Sequence, residues 1–218
     1  MQALDIQLCE ETLTFDPRKC IYWARHRALI LSDWHIGKSA HFRKHGIAIP
    51  AGVAQKDLDT LEELLEDYEV VDLWVIGDMF HAQHNRELEF FAEWRNNHNK
   101  LKIKLIGGNH DIISKDVLKR YKIEFIKKSL GVEPFTFSHK PKTHSDARFF
   151  ISGHIHPGVE LHGKGNLKVK LPCFIVGKEQ LVLPAFSNFT GLDTRYRLLD
   201  NEYRHYAVAE NEIILIEQ

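Results

Sequence analysis

Apolar residues recur along the chain with two different spacings, and each spacing predicts a different kind of element. Three short apolar runs predict strands at residues 28–31, 70–76 and 101–106. Between Val53 and Leu65, leucines instead recur every three or four positions with acidic residues between them, as on one face of a helix. This pattern predicts a helix that begins near Ala51 and ends before Val70.

The remaining pattern is mostly β. The first 27 residues are typical of β-hairpin strands with a turn at Asp16-Pro17, and two more helices are predicted at 87–98 and 116–121. From Val132 onward the pattern predicts strands at 133–137, 149–152, 158–162, 167–171, 174–176, 180–183, 203–208 and 212–216. An alternating half followed by a β-rich half predicts an α/β fold with two sheets packed face to face and helices outside. Because no linker or repeat divides residues 1–218, we expect a single domain.

The composition is that of an ordinary globular domain, and it limits the classes of function. Of the 218 residues, 44% are hydrophobic and 27% charged, and the net charge is −1, so any affinity for nucleic acid must be local. No apolar stretch approaches the ~20 residues that cross a membrane, and the first residues lack the features of a signal peptide. Cys9, Cys20 and Cys173 form no Cys-x-x-Cys pair, so we expect buried cysteines and a cytoplasmic protein.

Five short segments carry carboxylate, amide and imidazole side chains in a fixed order. They are Asp33-Trp34-His35, Gly77-Asp78-Met79-Phe80-His81, Gly108-Asn109-His110-Asp111, Ser138-His139 and Gly153-His154-Ile155-His156. Oxygen and imidazole ligands suit hard or borderline divalent cations. The first three segments directly follow predicted strands, and ligands in α/β sheets bind at the carboxyl ends of strands. Gly77, Gly107 and Gly108 would let the backbone approach an ion closely.

Each segment alone has a simpler interpretation. Asp33 and His35 could form a surface pair, the residues from Asn109 to Asp111 could form a turn, and His154 and His156 could lie on one face of a half-buried strand. The order and the glycines favour the other interpretation. Together the five segments predict a pair of divalent metals at one edge of the β-structure, which is typical of a two-metal phosphoester hydrolase.

Between Ala28 and His156 the order Asp-x-His, Gly-Asp-x-x-His, Gly-Asn-His-Asp, His and Gly-His-x-His resembles that of the calcineurin-like metallophosphoesterases. A narrower resemblance, to the bacterial ligase-associated DNA damage response endonucleases within that superfamily, rests on residues 35–38, 41–50, 77–81 and 183–191. The resemblance implies a four-layer fold in which two packed mixed β-sheets, a β-sandwich, are flanked by helices.

The resemblance also implies roles for individual residues. The implied metal ligands are Asp33, His35 and His156 for the first ion, Asn109, His139 and His154 for the second, and Asp78 for both. His110 would be the general acid, and Asp111 would fix its orientation by a carboxylate–imidazole hydrogen bond. Asp111 could instead cap the following helix, and His81 is expected to orient a ligand rather than bind metal.

Imidazole-rich ligand sets suit Mn, with Fe or Zn as alternatives, better than Mg or Ca. Two such ions ~3.5–4 Å apart would acidify a shared water, and the resulting bridging hydroxide would attack phosphorus.

Basic residues near the segments indicate the substrate. Lys38, Arg43 and Lys44, in a loop with His41 and His45, are candidate substrate-binding residues, although a solvated loop is an equal alternative. Lys140 and Lys142 flank His139 and could reach a substrate phosphate. A second basic set is expected to be a solvated face of a short helix and the residues after it: Lys115, Lys119, Arg120, Lys122, Lys127 and Lys128.

The favoured function is therefore a metal-dependent phosphodiesterase or nuclease that acts on DNA in repair. A small-molecule nucleotide or pyrophosphate hydrolase is the main alternative, but no insertion between the segments is large enough to form a cap over a small substrate. A non-catalytic scaffold is disfavoured because every ligand position holds a competent residue. By resemblance, DNA ligase or helicase repair proteins are the expected partners.

Overall fold

The computed structural model describes residues 1–39, 42, 52–81, 86–111, 114–142, 148–163, 165, 167–198 and 202–216, with the backbone only at 53, 54 and 86. The helices are α1 (Val53–Asp67), α2 (Arg86–Asn97) and α3 (Lys115–Arg120), and a 3₁₀ turn spans Ala24–His26. The strands are β1 (Leu4–Leu8), β2 (Glu11–Asp16), β3 (Cys20–Trp23), β4 (Ala28–Leu31), β5 (Asp72–Ile76), β6 (Lys102–Ile106), β7 (Ile123–Ile126), β8 (Ser129–Val132), β9 (Phe135–Ser138), β10 (Phe149–Ser152), β11 (Gly158–His162), β12 (Lys168–Gly177), β13 (Gln180–Val182), β14 (Tyr203–Ala209) and β15 (Glu212–Ile216).

The first sheet follows chain order from β1 to β7. Its first four strands pair antiparallel, and β4, β5, β6 and β7 pair parallel, with α1 and α2 in the first two crossovers and α3 in the third. The carboxyl ends of these four parallel strands therefore lie in a row at one edge of the sheet.

The second sheet has the order β15-β14-β12-β13-β10-β9-β8, with β11 paired to β12. Within it β9, β10 and β13 run parallel, while the other pairs are antiparallel. The predicted arrangement of two packed mixed sheets with helices is thus confirmed.

Two apolar layers hold the sheets and helices together. Phe15, Phe137 and Phe174 are fully buried, and they belong to the apolar cluster that fills the space between the sheets. Leu61 of α1 and Phe91 of α2 belong to a second cluster, which also contains the apolar side chains on the outer face of β4, β5 and β6. Because both faces of β4 and most of β5 are buried, these two strands are nearly continuous apolar runs, whereas β6 and β7 include charged residues.

The outer face of the second sheet carries a smaller cluster, formed with Leu198 and Tyr196 from the segment before β14. In the described part of the chain the helices lie against the first sheet. None of the helices in that part has the length and apolar character that a membrane span requires.

The predicted strands at 167–171 and 174–176 are wrong in one respect, because β12 runs through both. Pro172 interrupts the sequence pattern, since proline donates no ladder hydrogen bond. It lies where β12 changes partner, from β11 up to Pro172 to β14 from Cys173 onward. The strands β7 and β8 were not predicted, because both are short and β8 contains serine and glycine. Cys20 and Cys173 are buried as expected, but Cys9 is exposed.

Candidate metal centre

The five predicted segments come together at one edge of the sandwich. The first three follow β4, β5 and β6, whose carboxyl ends lie side by side because these strands pair in parallel. His139 follows β9 and the segment from Gly153 follows β10, and these two strands are also parallel to each other. The two sheets therefore each bring a set of polar loops to the same edge.

Asp33, His35 and His156 form one group of potential ligands. Their nearest oxygen and nitrogen atoms all lie within 4.8 Å of one another. The Nε2 atoms of His35 and His156 are 3.4 Å apart, and Nε2 of His156 is 3.4 Å from Oδ1 of Asp33. Asp33 is fully buried, and its Oδ1 atom has no hydrogen-bond partner in the structure.

Asp78, His139 and His154 form a second group of the same kind. Nε2 of His139 lies 3.0 Å from Nδ1 of His154 and 3.4 Å from Oδ1 of Asp78. The Oδ1 atom of Asn109 lies 3.0 Å from the same imidazole nitrogen. The structure thus brings together the seven side chains that are predicted to be ligands. Asp78, which is predicted to serve both ions, falls in the group with His139 and His154.

Burial and charge set the protonation of these groups. Burial would raise the pKa of Asp33, but the nearby His156 imidazole, 3.4 Å from Oδ1, outweighs it and lowers that pKa below its usual range. The pKa of Asp78 is held well below its usual range, because the hydrogen bond and charge of His139 outweigh the effect of burial. Burial, assisted by the charge of Lys38, lowers the pKa of His35 to about 3. Ionised carboxylates and a neutral imidazole are the forms that bind metal.

The backbone reaches this arrangement through left-handed residues. Five of the predicted ligands have positive φ: Asp33 at 56°, His35 at 54°, Asp78 at 48°, His154 at 72° and His156 at 52°. Such residues are uncommon outside glycine and are concentrated at functional sites. The alternative of a strand through His154 and His156 is therefore wrong, because the two residues lie in a turn after β10.

Glycines in these segments make room for the side chains of predicted ligands. A Cβ atom at Gly77, which has φ 75°, would overlap the His139 ring. A Cβ atom at Gly153 would overlap Ser32 and lie 2.5 Å from Oδ2 of Asp33. These two positions exclude larger residues because side chains carried by one sheet lie against the backbone of the other sheet.

Hydrogen bonds fix the loops to one another. The backbone N–H of His35 donates to the carbonyl of Asp78 at 2.8 Å, which continues the β4–β5 pairing beyond the strand ends. The N–H of His154 donates to Oδ2 of Asp33 at 2.9 Å and links the second sheet to the first. Ser32 was not predicted, yet its buried hydroxyl also donates to Oδ2 of Asp33.

His110 lies beside the first group. The centroid of its ring is 6.0 Å from that of His35 and 5.3 Å from that of His81. Its backbone N–H donates to Oδ1 of Asp78 at 2.9 Å, so the loop that carries His110 is held by a predicted ligand. His81 lies 5.8 Å from His35 by the same measure, next to the first group but outside it.

The expected hydrogen bond between Asp111 and the His110 ring is wrong. Oδ1 of Asp111 accepts from the N–H of Phe80 at 3.0 Å, and Oδ2 accepts from the N–H of Gly108 at 2.8 Å. Asp111 therefore joins the loops after β5 and β6. The capping alternative is also wrong, because Ser114 caps α3.

Of the basic residues, Lys38 is half-buried, and burial lowers its pKa against the opposing charges of Asp33 and Asp78. Arg43 and Lys44 lie outside the described residues. Lys142 forms an ion pair with Glu179, with Nζ 3.1 Å from Oε2, so its charge is already partly neutralised.

Glu87 holds the residues on either side of Lys38 and was not predicted to do so. Its Oε2 accepts from the N–H of Gly37 at 2.9 Å, and its Oε1 accepts from the Ser39 hydroxyl. The sequence pattern identifies Glu87 only as a polar residue at the start of a helix. Its partner residues lie in a loop about fifty positions earlier, which no local pattern indicates.

The donor set fits divalent metal ions. Carboxylate, amide and imidazole atoms converge in two groups, and the unpartnered Oδ1 of buried Asp33 calls for a cation, because an isolated buried charge is costly. The geometry thus gives two candidate sites for divalent metals at one edge, with an imidazole beside them.

Comparison with known proteins agrees with this chemistry. Residues 26–167 match the model of the calcineurin-like phosphoesterase family. The structure is similar to that of the nuclease MPE of Pseudomonas putida, with a TM-score of 0.81 and 30% identity over 98% of this chain and 100% of that chain. The protein of unknown function AQ665 of Aquifex aeolicus matches 59% of this chain and 78% of its own at 21% identity, with a TM-score of only 0.43. No curated protein matches.

The expected family and enzyme class are confirmed, and the protein is a metal-dependent phosphoester hydrolase. The match covers more than half of the sequence and includes all five polar segments, so the chain belongs to the calcineurin-like phosphoesterase family.

Proposed function

We propose that this protein is a phosphodiesterase that uses two divalent metal ions to cleave DNA during repair. The observation that carries this proposal is the pair of ligand groups, Asp33-His35-His156 and Asp78-His139-His154, which meet at one edge with His110 beside them. The similarity to a nuclease over nearly the whole chain supports a polynucleotide substrate. The role in repair, and DNA ligase or helicase partners, rest on the narrower sequence resemblance.

In this proposal Asp33, His35 and His156 hold the first ion, and His139, His154 and Asn109 hold the second. Asp78 would serve both sites, since its carboxylate lies 3.4 Å from Nε2 of His139 and its charge acts on His35. When bound, two such ions acidify water and offset the negative charge of the phosphate. Two imidazoles for each ion favour Mn, with Fe or Zn as alternatives.

His110 would donate a proton to the leaving oxygen. Its ring lies beside the ligands, and its backbone N–H is fixed by Asp78, which places the imidazole at the edge of the site. Asp111 is then a positioning residue. It holds the backbone N–H groups of Phe80 and Gly108, and so it sets the distance between the loops that carry Asp78 and Asn109.

Lys38 would contact the substrate phosphate. Its ammonium group lies within electrostatic reach of Asp33 and Asp78, and Glu87 holds the backbone of the preceding residue, Gly37. Arg43 and Lys44 follow in the sequence and would bind phosphates further along the polynucleotide.

Removal of metal should abolish activity. Protein treated with a chelator should hydrolyse neither bis(p-nitrophenyl) phosphate nor single- or double-stranded oligonucleotides, because in this proposal the bound ions activate the attacking water. Added Mn should restore activity more fully than Mg, which prefers oxygen ligands. Full activity in excess EDTA would contradict the metal requirement. Hydrolysis of the small diester without cleavage of any oligonucleotide would contradict the nuclease assignment alone.

Substitution of Gly153 should weaken metal binding without removing a ligand. In Gly153→Ala the new methyl group must displace Asp33 or Ser32, so we expect the affinity for Mn to fall ~10–100-fold, as for other changes that disturb ligand support. Titration calorimetry measures this affinity. Gly131→Ala is the matched control, because its Cβ would lie 3.5 Å from the Arg148 guanidinium, an ordinary contact. Equal affinities in the two variants would show that the Gly153 contact is not needed.

Substitution of His110 should separate proton transfer from metal binding. His110→Ala should keep its metal content but lose about 10²–10⁴-fold in the rate of oligonucleotide cleavage. The loss should be much smaller for bis(p-nitrophenyl) phosphate, since p-nitrophenolate leaves without protonation. His162→Ala, at an exposed position of β11, serves as the control. If His110→Ala loses a metal by elemental analysis, His110 is a ligand and the proposed role is wrong.

A further inference from the structure

Lysines occupy the strand end next to the metal centre. The strands β4, β5 and β6 end in the segments that carry Asp33, Asp78 and Asn109, and β7 is the next parallel strand in the row. It ends at Ile126, and Lys127 and Lys128 follow directly. Neighbouring strands lie about 4.8 Å apart, so this strand end lies beside the Asn109 loop, on the side away from the β5 end that carries Asp78.

The second sheet brings a third lysine to the same place. Residues 127 and 128 connect β7 in the first sheet to β8 in the second, and Ser129 of β8 pairs with Ser138 of β9. Continued by one residue, this antiparallel register places Lys128 opposite His139, and continued by two it places Lys127 opposite Lys140. Lys127, Lys128 and Lys140, here called the lysine rim, therefore border the second ligand group.

The charge of Lys140 acts on that group. Burial and the neighbouring His139 lower the pKa of His154, and the positive charge of Lys140 adds to this effect against the opposing charges of Asp33 and Asp78. Lys140 also directly follows the predicted ligand His139 in the chain, which places it at this edge rather than on a remote face.

The rim is exposed and is not neutralised by neighbours. All three side chains are exposed, and none forms an ion pair with any residue that the structure describes. The segments 125–132 and 135–142 contain no acidic residue. By contrast, Lys142 is paired with Glu179, and Lys168 and Lys170 are paired with Glu160.

We propose that the lysine rim binds the phosphates of a polynucleotide that lie next to the scissile phosphate, on the side of the second metal. This inference rests on the proposed nuclease function and deepens it, because it gives the direction in which the bound polynucleotide extends away from the metal centre. Lys38 lies beside the first ligand group, so the bound polynucleotide would run from Lys38 to the lysine rim, across both metal sites. The basic set that was expected to be a solvated face therefore falls into two groups. Lys127 and Lys128 lie at the edge that carries the metal centre, whereas the basic residues of α3 do not follow a strand at that edge.

The test is the triple variant Lys127→Ala, Lys128→Ala, Lys140→Ala. Its matched control is Lys100→Ala, Lys102→Ala, Lys122→Ala, which removes the same charge from exposed lysines at the amino ends of β6 and β7, the opposite edge of the sheet. Both variants and the wild type are assayed with Mn, on a labelled oligonucleotide that extends well beyond the cleavage site and on bis(p-nitrophenyl) phosphate. KM and kcat are measured over a range of salt concentrations.

We expect the KM of the rim variant for the oligonucleotide to rise about tenfold at low salt, while its kcat is unchanged. The slope of log KM against log salt should become shallower by about 2, since each lost phosphate contact removes ~0.7 from the slope on a single strand. Hydrolysis of the small diester should not change, because that substrate has no neighbouring phosphate. The control variant should behave as the wild type.

Several results would overturn the proposal. An unchanged KM and salt slope would show that the rim does not contact the substrate. Equal changes in rim and control variants would indicate a general effect of net charge, and equal losses on both substrates would indicate a structural role. If the wild type hydrolyses the diester but cleaves no oligonucleotide, the nuclease function itself fails, and the rim proposal fails with it. If only the rim proposal is wrong, the wild type still cleaves the oligonucleotide.

Discussion

Asp33 leaves β4 in the first sheet, and its Oδ2 atom accepts a hydrogen bond at 2.9 Å from the backbone N–H of His154, which follows β10 in the second. Its backbone carbonyl accepts from Ser187, and the carbonyl of Ser32 accepts from Phe186 at 2.8 Å, so the loop after β13 is held at the same place. One fully buried carboxylate thus joins loops from both sheets. An ionised group in such a position is costly unless it is compensated, and Ser32 and His154 compensate only one oxygen. A cation at the other oxygen would complete the compensation, so the carboxylate that joins the two sheets also favours a bound metal ion.

The backbone around this carboxylate is held in conformations that it would not adopt alone. Five ligand residues have positive φ, at a cost of about 1 kcal/mol or more each. Together these costs are a large part of the ~5–15 kcal/mol by which a typical domain is stable. Such strain persists only where surrounding packing determines the conformation, and here the apolar cluster between the sheets and the one beneath the helices lie directly behind the loops. The rigid core is therefore a condition for the site as well as for the fold.

The sequence predicted those features that depend on local pattern. The apolar runs at 28–31 and 101–106 correspond to β4 and β6, and the leucine spacing after Val53 corresponds to α1, because burial on a sheet or a helix face imposes a period on the chain. The types and order of the candidate ligands were predicted for a similar reason, since the short segments directly follow strands. Which metal they hold, and whether they hold it as proposed, stays a prediction.

Features that depend on contacts between distant residues were not predicted. Asp111 was assigned to the ring of its neighbour His110, but it accepts hydrogen bonds from Phe80 and Gly108 instead. The sequence Gly-Asn-His-Asp does not indicate that the carboxylate of Asp111 reaches the loop after β5. The strand β8 was missed for the related reason that Ser-Leu-Gly-Val has little β-propensity, and its pairing with β9 decides its conformation.

The distribution of charge explains how a nearly neutral protein could bind a polyanion. The net charge is −1, yet the acidic and basic groups near the metal centre are separated, with Asp33 and Asp78 buried inside and exposed lysines at the rim. Both carboxyl groups have pKa values below their usual range and are therefore ionised at neutral pH. Without cations, the interior of the site repels a phosphate while the rim attracts it. The two divalent ions of the proposal would bring four positive charges and reverse the sign of the interior, so that the whole edge would attract the substrate. Metal binding should therefore come before productive binding of the scissile phosphate, whereas the lysines can attract the polynucleotide in either state.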